Sequence, residues 1–327
     1  MSQNHGANQL RKLVDDNPYV AAPGCATALE AQIAELTDNV AVYMSGASTN
    51  VSQFGYFDGL LGMAEMVENA GRLAAATELP VIADADTGYG GIHNVQRTVT
   101  EYDHAGVAAI QIEDQRWPKR CGHAPGKEVV SRDDAAARIR AAVDVRDENN
   151  LDILIVGRTD AFGSANADWS EHVERGRLFA EIGVDFIMPE MPDPTREHAM
   201  KFAEAIHDTH PGAQFLWNYS SNFTWTAQED PLTFAELGDL GYRLIIVSLF
   251  GMHAATYALY EGMADFATEG ERAQWRMEER FDGHETFDSA ANILFDLGDF
   301  ASYQQLEERY LEDARVRYQQ SAGHGTE

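Results

Sequence analysis

Residues 80–114 read PVIADADTGYGGIHNVQRTVTEYDHAGVAAIQIED. The stretch opens on a short apolar run, Pro80–Ala85, that turns acidic towards its end and passes into a glycine-rich loop. A helical pattern follows over Val95–Ala105, and then a second apolar run, Ala108–Glu113, again ending in acid. Strand, helix and strand in that order form a parallel βαβ unit. The same alternation extends outward in both directions. Further strands are predicted over Tyr19–Pro23, Val40–Ser45, Asp152–Arg158, Asp185–Glu190, Gln214–Asn218 and Leu244–Ser248. Further helices are predicted over Gly62–Thr77, Arg132–Asp147, Trp169–Ile182 and Thr195–His207. Eight strands are the number at which a closed barrel is just filled by its own side chains. The expected fold is therefore α/β, a (β/α)8 TIM-type barrel. An open doubly wound sheet would need a G-x-G-x-x-G turn at the first helix, and the first strand instead runs into PGCATAL. The expected domains are the barrel over residues 1–260 and a C-terminal helical extension over 261–327.

The chain has 327 residues, of which 44% are hydrophobic, enough for a large buried core. It contains no run of about 18 apolar residues, so no membrane-spanning helix is expected. The N-terminal MSQNHGANQLRKLVDDN lacks the apolar region of a secretory signal. Two cysteines, Cys25 and Cys121, do not make a disulfide framework and fit a reducing cytoplasm. Against 53 acidic residues stand only 24 lysines and arginines, a net charge of -29. Such a chain repels nucleic acid and anionic membranes. The acids are dispersed along the chain, and the lysines are only Lys12, Lys119, Lys127 and Lys201. This is the composition of a halophilic protein, adapted to molar salt, where the Debye length shrinks to about 3 Å and self-repulsion fades.

Barrel active sites gather at the C-terminal ends of the strands. The predicted strands end in Tyr43, Ser45 and Gly46, in Asp84 and Asp86, in Glu113 and Asp114, in Arg158 and Asp160, in Glu190, in Asn218 and Ser220, and in Ser248. Any one could cap the following helix, Asp160 and Ser220 most readily. So many charged ends on otherwise apolar strands are hard to explain by capping alone. Asp84 and Asp86, two apart on one strand, are expected to point the same way. With Glu113 they offer hard oxygen ligands of the kind that suit Mg²⁺, and no His or Cys cluster with zinc spacing accompanies them. The loop WPKRCGHAPGKEVV, residues 117–130, gathers Lys119, Arg120, Cys121, His123 and Lys127. Its cations are expected to lower the thiol pKa of Cys121, and its position suits a lid over the acidic site.

Together these segments resemble the isocitrate lyase/phosphoenolpyruvate mutase superfamily. The K-R-C-G-H of residues 119–123 is similar to a signature of its lyases, and Y-x-S-G (43–46), D-A-D-x-G-x-G (84–90), I-E-D-Q (112–115) and R-T-D-A (158–161) follow in family order. The resemblance covers roughly residues 15–260, and the C-terminal helices resemble the family's subunit-exchanging tail. It implies a carbon–carbon lyase that cleaves isocitrate to glyoxylate and succinate and assembles as a homotetramer. Mg²⁺, or Mn²⁺ in its place, would sit on Asp84, Asp86 and Glu113. Arg158 would grip a carboxylate, with Ser45, Gly46 and Ala47 at the glyoxylate end. Asn218, Ser220, Asn222, Ser248 and Leu249 would surround the succinate end. Cys121 would protonate the succinate carbanion, Gly122, His123 and Glu190 would position loop and substrate, and Tyr43 would assist deprotonation of the hydroxyl.

WNYSSNFTW, residues 217–225, matches the N-x-S-x-x-F-x-W string of isocitrate lyases at Asn218, Ser220, Phe223 and Trp225. Arg120 and the short chain point instead to 2-methylisocitrate, the alternative substrate. Ala47 replaces a usual Trp, and Gln111 replaces a His. A phosphoenolpyruvate mutase or phosphonopyruvate hydrolase is a more distant reading. A Schiff-base aldolase would need a lysine on a strand, and none of the four lies on one.

Overall fold

A computed structural model describes residues 5–193 and 195–320. Eight strands close into a barrel: β1 (Val20–Cys25), β2 (Val42–Met44), β3 (Val81–Asp84), β4 (Ala109–Glu113), β5 (Leu154–Thr159), β6 (Phe186–Pro189), β7 (Phe215–Asn218) and β8 (Tyr242–Val247). Every neighbouring pair is parallel, including β8 on β1. All eight predicted runs are strands, with ends that move by about two residues. Ser45, Glu190 and Ser248 lie just beyond their strands, where the chain turns outward. The predicted helices are present, Trp169–Ile182 with the same bounds. Several others were not foreseen, among them two near the N-terminus. Helix His5–Asp16 buries Ala7, Leu10 and Val14, which are spaced for one face of a helix inside a polar stretch. Helix Ala28–Leu36 starts at a capping box between Thr27 and Glu30.

The chain divides into two compact units, one running up to Met252 and the other from His253 onward. The division falls within helix Phe250–Glu269. The second unit contains the rest of that helix together with Glu271–Phe281, Ile293–Leu297, Phe300–Tyr310 and Ala314–Gln320. No helix among the described residues is long and apolar enough to cross a membrane.

Side chains alternate across a strand, so each barrel strand serves two cores. One core lies between strands and helices and takes Val42, Met44, Val81, Ala83, Ile110, Ile112, Ile155, Ile187 and Trp217. The other fills the barrel itself with Ala22, Tyr43, Ile82, Ala109, Val156, Met188, Leu216, Leu244 and Ile246, and Leu10 and Val14 of the first helix join it. One more step along the inward parity reaches Ser45, Asp84, Arg158, Glu190, Asn218 and Ser248, and two steps from Ala109 reach Glu113. The polar strand ends are thus the uppermost layer of the barrel's own filling, which is why they converge. Gln111, one inward step below Glu113, is fully buried, and its amide has no hydrogen-bond partner.

After β5 the chain turns through Asp160–Phe162 towards helix Trp169–Ile182. His172 of that helix is buried against Phe162, Trp169 and Phe202, and its Nδ1 accepts the Phe162 N–H at 3.2 Å. Burial, aided by the nearby Lys127 and Arg175, pushes its pKa down to about 3. Below about pH 6.5 the unfolded imidazole takes up a proton that the folded one refuses. Its stabilising contribution is full above that pH and is lost as pH falls, by roughly 1.4 kcal/mol per unit until the folded group titrates. Urea midpoints at pH 7 and pH 5 should therefore converge in His172→Gln relative to the wild type. An unchanged pH slope would remove His172 from this role.

Candidate active site

One cavity at the C-terminal ends of the strands is lined by Tyr43, Ser45, Ala47, Asp58, Asp84, Lys119, Cys121, Gly122, His123, Arg158, Glu190, Asn218, Ser220, Asn222, Ser248 and Leu249. Every expected substrate-contacting residue except Gly46 lines it. Gly46 lies directly behind, its N–H donating to Asp84 Oδ2 at 3.2 Å, where a Cβ would meet the same oxygen at 2.8 Å. Asp58 and Lys119 line the cavity too, and sequence reasoning did not assign them. A larger cleft of about 1030 Å³, lined by His5, Asp103, His104 and Asp152 among others, lies at the opposite ends of the strands and holds none of these groups.

Arg158 is the hinge of the electrostatics. Its Nε donates to Asp160 Oδ2 at 2.8 Å and its terminal nitrogen to Asp160 Oδ1 at 3.0 Å. The guanidinium also stands 3.4 Å from Glu113 Oε2 and 3.5 Å from Glu190 Oε2. A two-point clamp of this kind fixes the plane of an arginine as no lysine could. Burial alone would raise the pKa of Asp160, but Arg158 and Lys127 hold it well below the usual carboxylate range. Asp160 is therefore a clamp, not a helix cap. Ser220 does cap, accepting the Asn222 N–H at 3.2 Å, and Ser45 likewise caps the turn Gly46–Thr49.

Glu190 collects the opposite wall. Asn218 Nδ2 donates to it at 3.2 Å, and His123 Nε2 lies 3.3 Å from its Oε1. Asn218 Oδ1 in turn accepts from Ser248 Oγ at 3.1 Å. The ring of Phe223 meets His123 edge-on at 5.0 Å, while Trp225 stacks on Tyr219 and donates to the Ser220 carbonyl at 2.8 Å. In the WNYSSNFTW segment, Asn218 and Ser220 face the cavity while Tyr219, Phe223 and Trp225 pack its loop.

Asp84 ends β3, but Asp86 does not share the strand. It sits in the turn beyond, at φ +48°, with its N–H donating to Asp84 Oδ1 at 3.0 Å. The tight turn, not strand alternation, aims the two acids at one place. Lys119 Nζ stands among them, 2.6 Å from Asp86 Oδ1 and 3.0 Å from both oxygens of Asp58. Among the described residues no three His, Cys, Asp or Glu side chains converge as a direct metal shell. The donor set nevertheless fits a hydrated divalent cation, because Mg²⁺ keeps several of its waters. Asp86 Oδ1 and both oxygens of Glu113 are buried without an aligned hydrogen bond. Burial, only partly offset by Arg158 and Lys119, holds the Glu113 carboxyl well above its usual range. Burial likewise pushes Asp86 up to about 7 despite Lys119. The cluster lacks positive charge.

One sequence expectation is corrected here. The Cys121 thiol is raised, not lowered: burial dominates, and Asp58 and Glu190 add to it against Arg158. The loop cations point elsewhere, Lys119 to the acids and Lys127 to Asp160, while Arg120 is exposed. Burial and Asp84 together raise the Tyr43 phenol well above its ordinary value.

The phosphoenolpyruvate phosphomutase family model matches residues 10–267. The chain belongs to the isocitrate lyase/phosphoenolpyruvate mutase family. It is 50% identical over 325 residues to the isocitrate lyase of Haloferax volcanii, covering 99% of this chain and 92% of that one. It is 40% identical over 256 residues to the 2,3-dimethylmalate lyase of Eubacterium barkeri, covering 78% and 84%. Among solved structures, oxaloacetate acetylhydrolase in complex with 3,3-difluorooxalacetate superposes with a TM-score of 0.79 at 30% identity, over 94% of this chain and 98% of that one.

In this member of the family the cavity is narrow. Its volume is about 40 Å³, room for a few waters and far short of the roughly 300 Å³ and more of an occupied small-molecule site. Gly122 seals it, since a Cβ there would overlap Arg158 and approach Glu190 Cγ at 2.8 Å. Gly122→Ala should hold the loop off the site and lower kcat by about 100-fold, with the melting temperature unchanged. Steady-state kinetics beside a thermal melt check this, and wild-type kcat would mean that the seal is not needed.

Proposed function

We propose that this chain is an isocitrate lyase, cleaving isocitrate to glyoxylate and succinate. The observation that carries the reading is the meeting, in one cavity, of a protonated thiol, a clamped arginine and the Asn218–Ser220–Ser248 group. The full-length similarity to the Haloferax volcanii isocitrate lyase supports the choice of substrate. A divalent cation, Mg²⁺ or Mn²⁺, held through Asp84, Asp86 and Glu113 would act as Lewis acid towards the substrate's 2-hydroxyl and adjoining carboxylate.

The chain's own groups do the rest. Arg158, its plane fixed by Asp160, takes a carboxylate by its free edge. Ser45 and Gly46 hold the two-carbon end, with Ala47 leaving room beside it. Asn218, Ser220, Asn222, Ser248 and Leu249 hold the four-carbon end. Tyr43, kept as a phenol, donates a hydrogen bond to the forming aldehyde oxygen. The 2-hydroxyl gives up its proton to water in the cavity, and as the bond between the two fragments breaks, its electron pair passes to the succinate carbon and its carboxylate. Cys121 gives that carbon its proton, a task for which a raised thiol pKa is suited. His123 and Glu190 position the thiol and the departing fragment. A homotetramer with exchanged C-terminal helices, located in the cytoplasm, completes this reading.

A second reading, cleavage of 2-methylisocitrate to pyruvate and succinate, is favoured by Arg120 and by Ala47, which leaves space for a methyl group. Purified protein in molar KCl with Mg²⁺ should release glyoxylate, trapped as its phenylhydrazone, from isocitrate in preference to pyruvate from 2-methylisocitrate. The reverse preference would replace isocitrate by its methyl homologue. Cys121→Ser should lower turnover by roughly 10²–10⁴-fold and leave binding of isocitrate, measured by calorimetry, largely intact. Lost binding would assign Cys121 a structural part instead.

A further inference from the structure

Lys127 is one of four lysines in the chain, and it is 3% exposed. None of the chemistry above uses it. Its ammonium donates to the Gly122 carbonyl at 2.7 Å and to Asp160 Oδ1 at 3.1 Å. The first partner lies at the tip of the sealing loop, between Cys121 and His123. The second is the carboxylate that clamps Arg158 from behind. One buried cation therefore joins the thiol-bearing tip to the support of the substrate-gripping arginine.

The two ends of this connection differ in how firmly they are rooted. The backbone around Lys127 is fastened to the segment after β5: the Ala165 N–H donates to the Lys127 carbonyl at 2.8 Å. Asn166 brackets Val129, its Oδ1 accepting the Val129 N–H and its Nδ2 donating to the Val129 carbonyl, each at 2.9 Å. Further along, the Val130 N–H donates to the Asp114 carbonyl at 2.9 Å, and Arg175 ties the Val130 carbonyl (2.7 Å) to Asp114 Oδ2 (3.0 Å). The tip has other contacts, His123 facing Glu190 at 3.3 Å and the Phe223 ring, and the Arg120 backbone before it pairs with the Gln115 amide at 2.9 and 3.0 Å, but the Gly122 backbone itself is held by Lys127. Residues 121–124 form a turn closed by the Ala124 N–H on the Cys121 carbonyl at 2.8 Å. The cavity is too small for a substrate while this turn is down, so the turn lifts in each cycle. Gly122 carries no side chain that could be gripped, which leaves its carbonyl as the handle.

We infer that Lys127 is a positioning residue, a latch on the rooted arm of the loop that catches the Gly122 carbonyl at closure and thereby aims Cys121 while Arg158 is held in register. A charge-assisted hydrogen bond of this kind accounts for roughly tenfold to a hundredfold in the closing equilibrium. The catalytic part of the inference rests on the lyase reading; the latch itself does not.

The test compares Lys127→Met, which keeps the buried stem and removes the donors, with Lys127→Arg, which restores a cation. The first readout is alkylation of Cys121 by iodoacetamide in the substrate-free enzyme, followed by mass spectrometry of its peptide against the buried Cys25. The rate is taken from the high-pH plateau, so that altered thiol ionisation is not mistaken for opening. Lys127→Met should alkylate at least about tenfold faster than wild type, and Lys127→Arg should recover most of the protection. The second readout is steady-state cleavage of isocitrate: kcat should fall at least about tenfold with KM changed by less than about threefold. Wild-type alkylation rates in a folded Lys127→Met would overturn the latch. Faster alkylation with unchanged kcat would overturn its catalytic role. If Lys127→Met does not fold, Lys127→Gln, which keeps an amide donor, carries the same two readouts and should fall between. Should neither isocitrate nor 2-methylisocitrate be cleaved, the alkylation arm still decides the latch, and only the lyase reading falls.

Discussion

Everything at the top of this barrel depends on a shortage of positive charge. Asp58, Asp84, Asp86, Glu113, Asp160 and Glu190 are buried there against only Lys119, Lys127 and Arg158. Buried carboxylates without partners are costly, and the cost appears as raised proton affinity in Glu113 and Asp86. Asp160 escapes because two cations, Arg158 and Lys127, hydrogen-bond to it directly. The surplus acids have three ways to be relieved: protons, a divalent cation, or the ammonium of Lys119. The last comes from the loop that closes the cavity, so lid and acid cluster are electrostatically a single system.

The fold was legible because the inward parity of a strand does not stop where its hydrogen bonds do. Reading the residue at the end of each apolar run located Asp84, Glu113, Arg158, Glu190, Asn218 and Ser248, since a closed eight-stranded barrel brings successive strand ends to one place. What stayed hidden depends on contacts between distant parts of the chain. Asp58 lies in a stretch with no periodic pattern and owes its burial to Lys119, 61 residues later. Its partner did leave a trace: two of four lysines in one short loop are an anomaly in a chain otherwise stripped of lysine. The turn that carries Asp86 was misread as strand because Asp-Ala-Asp alternates just as a strand would. The direction of the Cys121 shift was missed for another reason. Counting neighbouring cations along the chain says nothing of where their charged ends go, and here Lys119 and Lys127 are engaged with carboxylates while Arg120 is exposed.

The first helix gives a further lesson of the same kind. MSQNHGANQLRKLVDDN is polar enough to look like an arm, yet Leu10 and Val14 belong to the barrel's interior cluster. Two apolar residues at helical spacing suffice, because the N-terminal end of a barrel exposes only a narrow ring of side chains. Function is concentrated at the other end, where the strands trade apolar filling for charge.

The scarcity of lysine has a consequence for how this protein can be observed. Lys12 and Lys201 are exposed, whereas Lys119 and Lys127 are buried beneath the closed loop. A chain with so few lysines, divided evenly between surface and lid, is its own counter. With an acylating reagent, the lysines modified beyond the two on the surface measure how often the gate stands open, without any label having to be introduced.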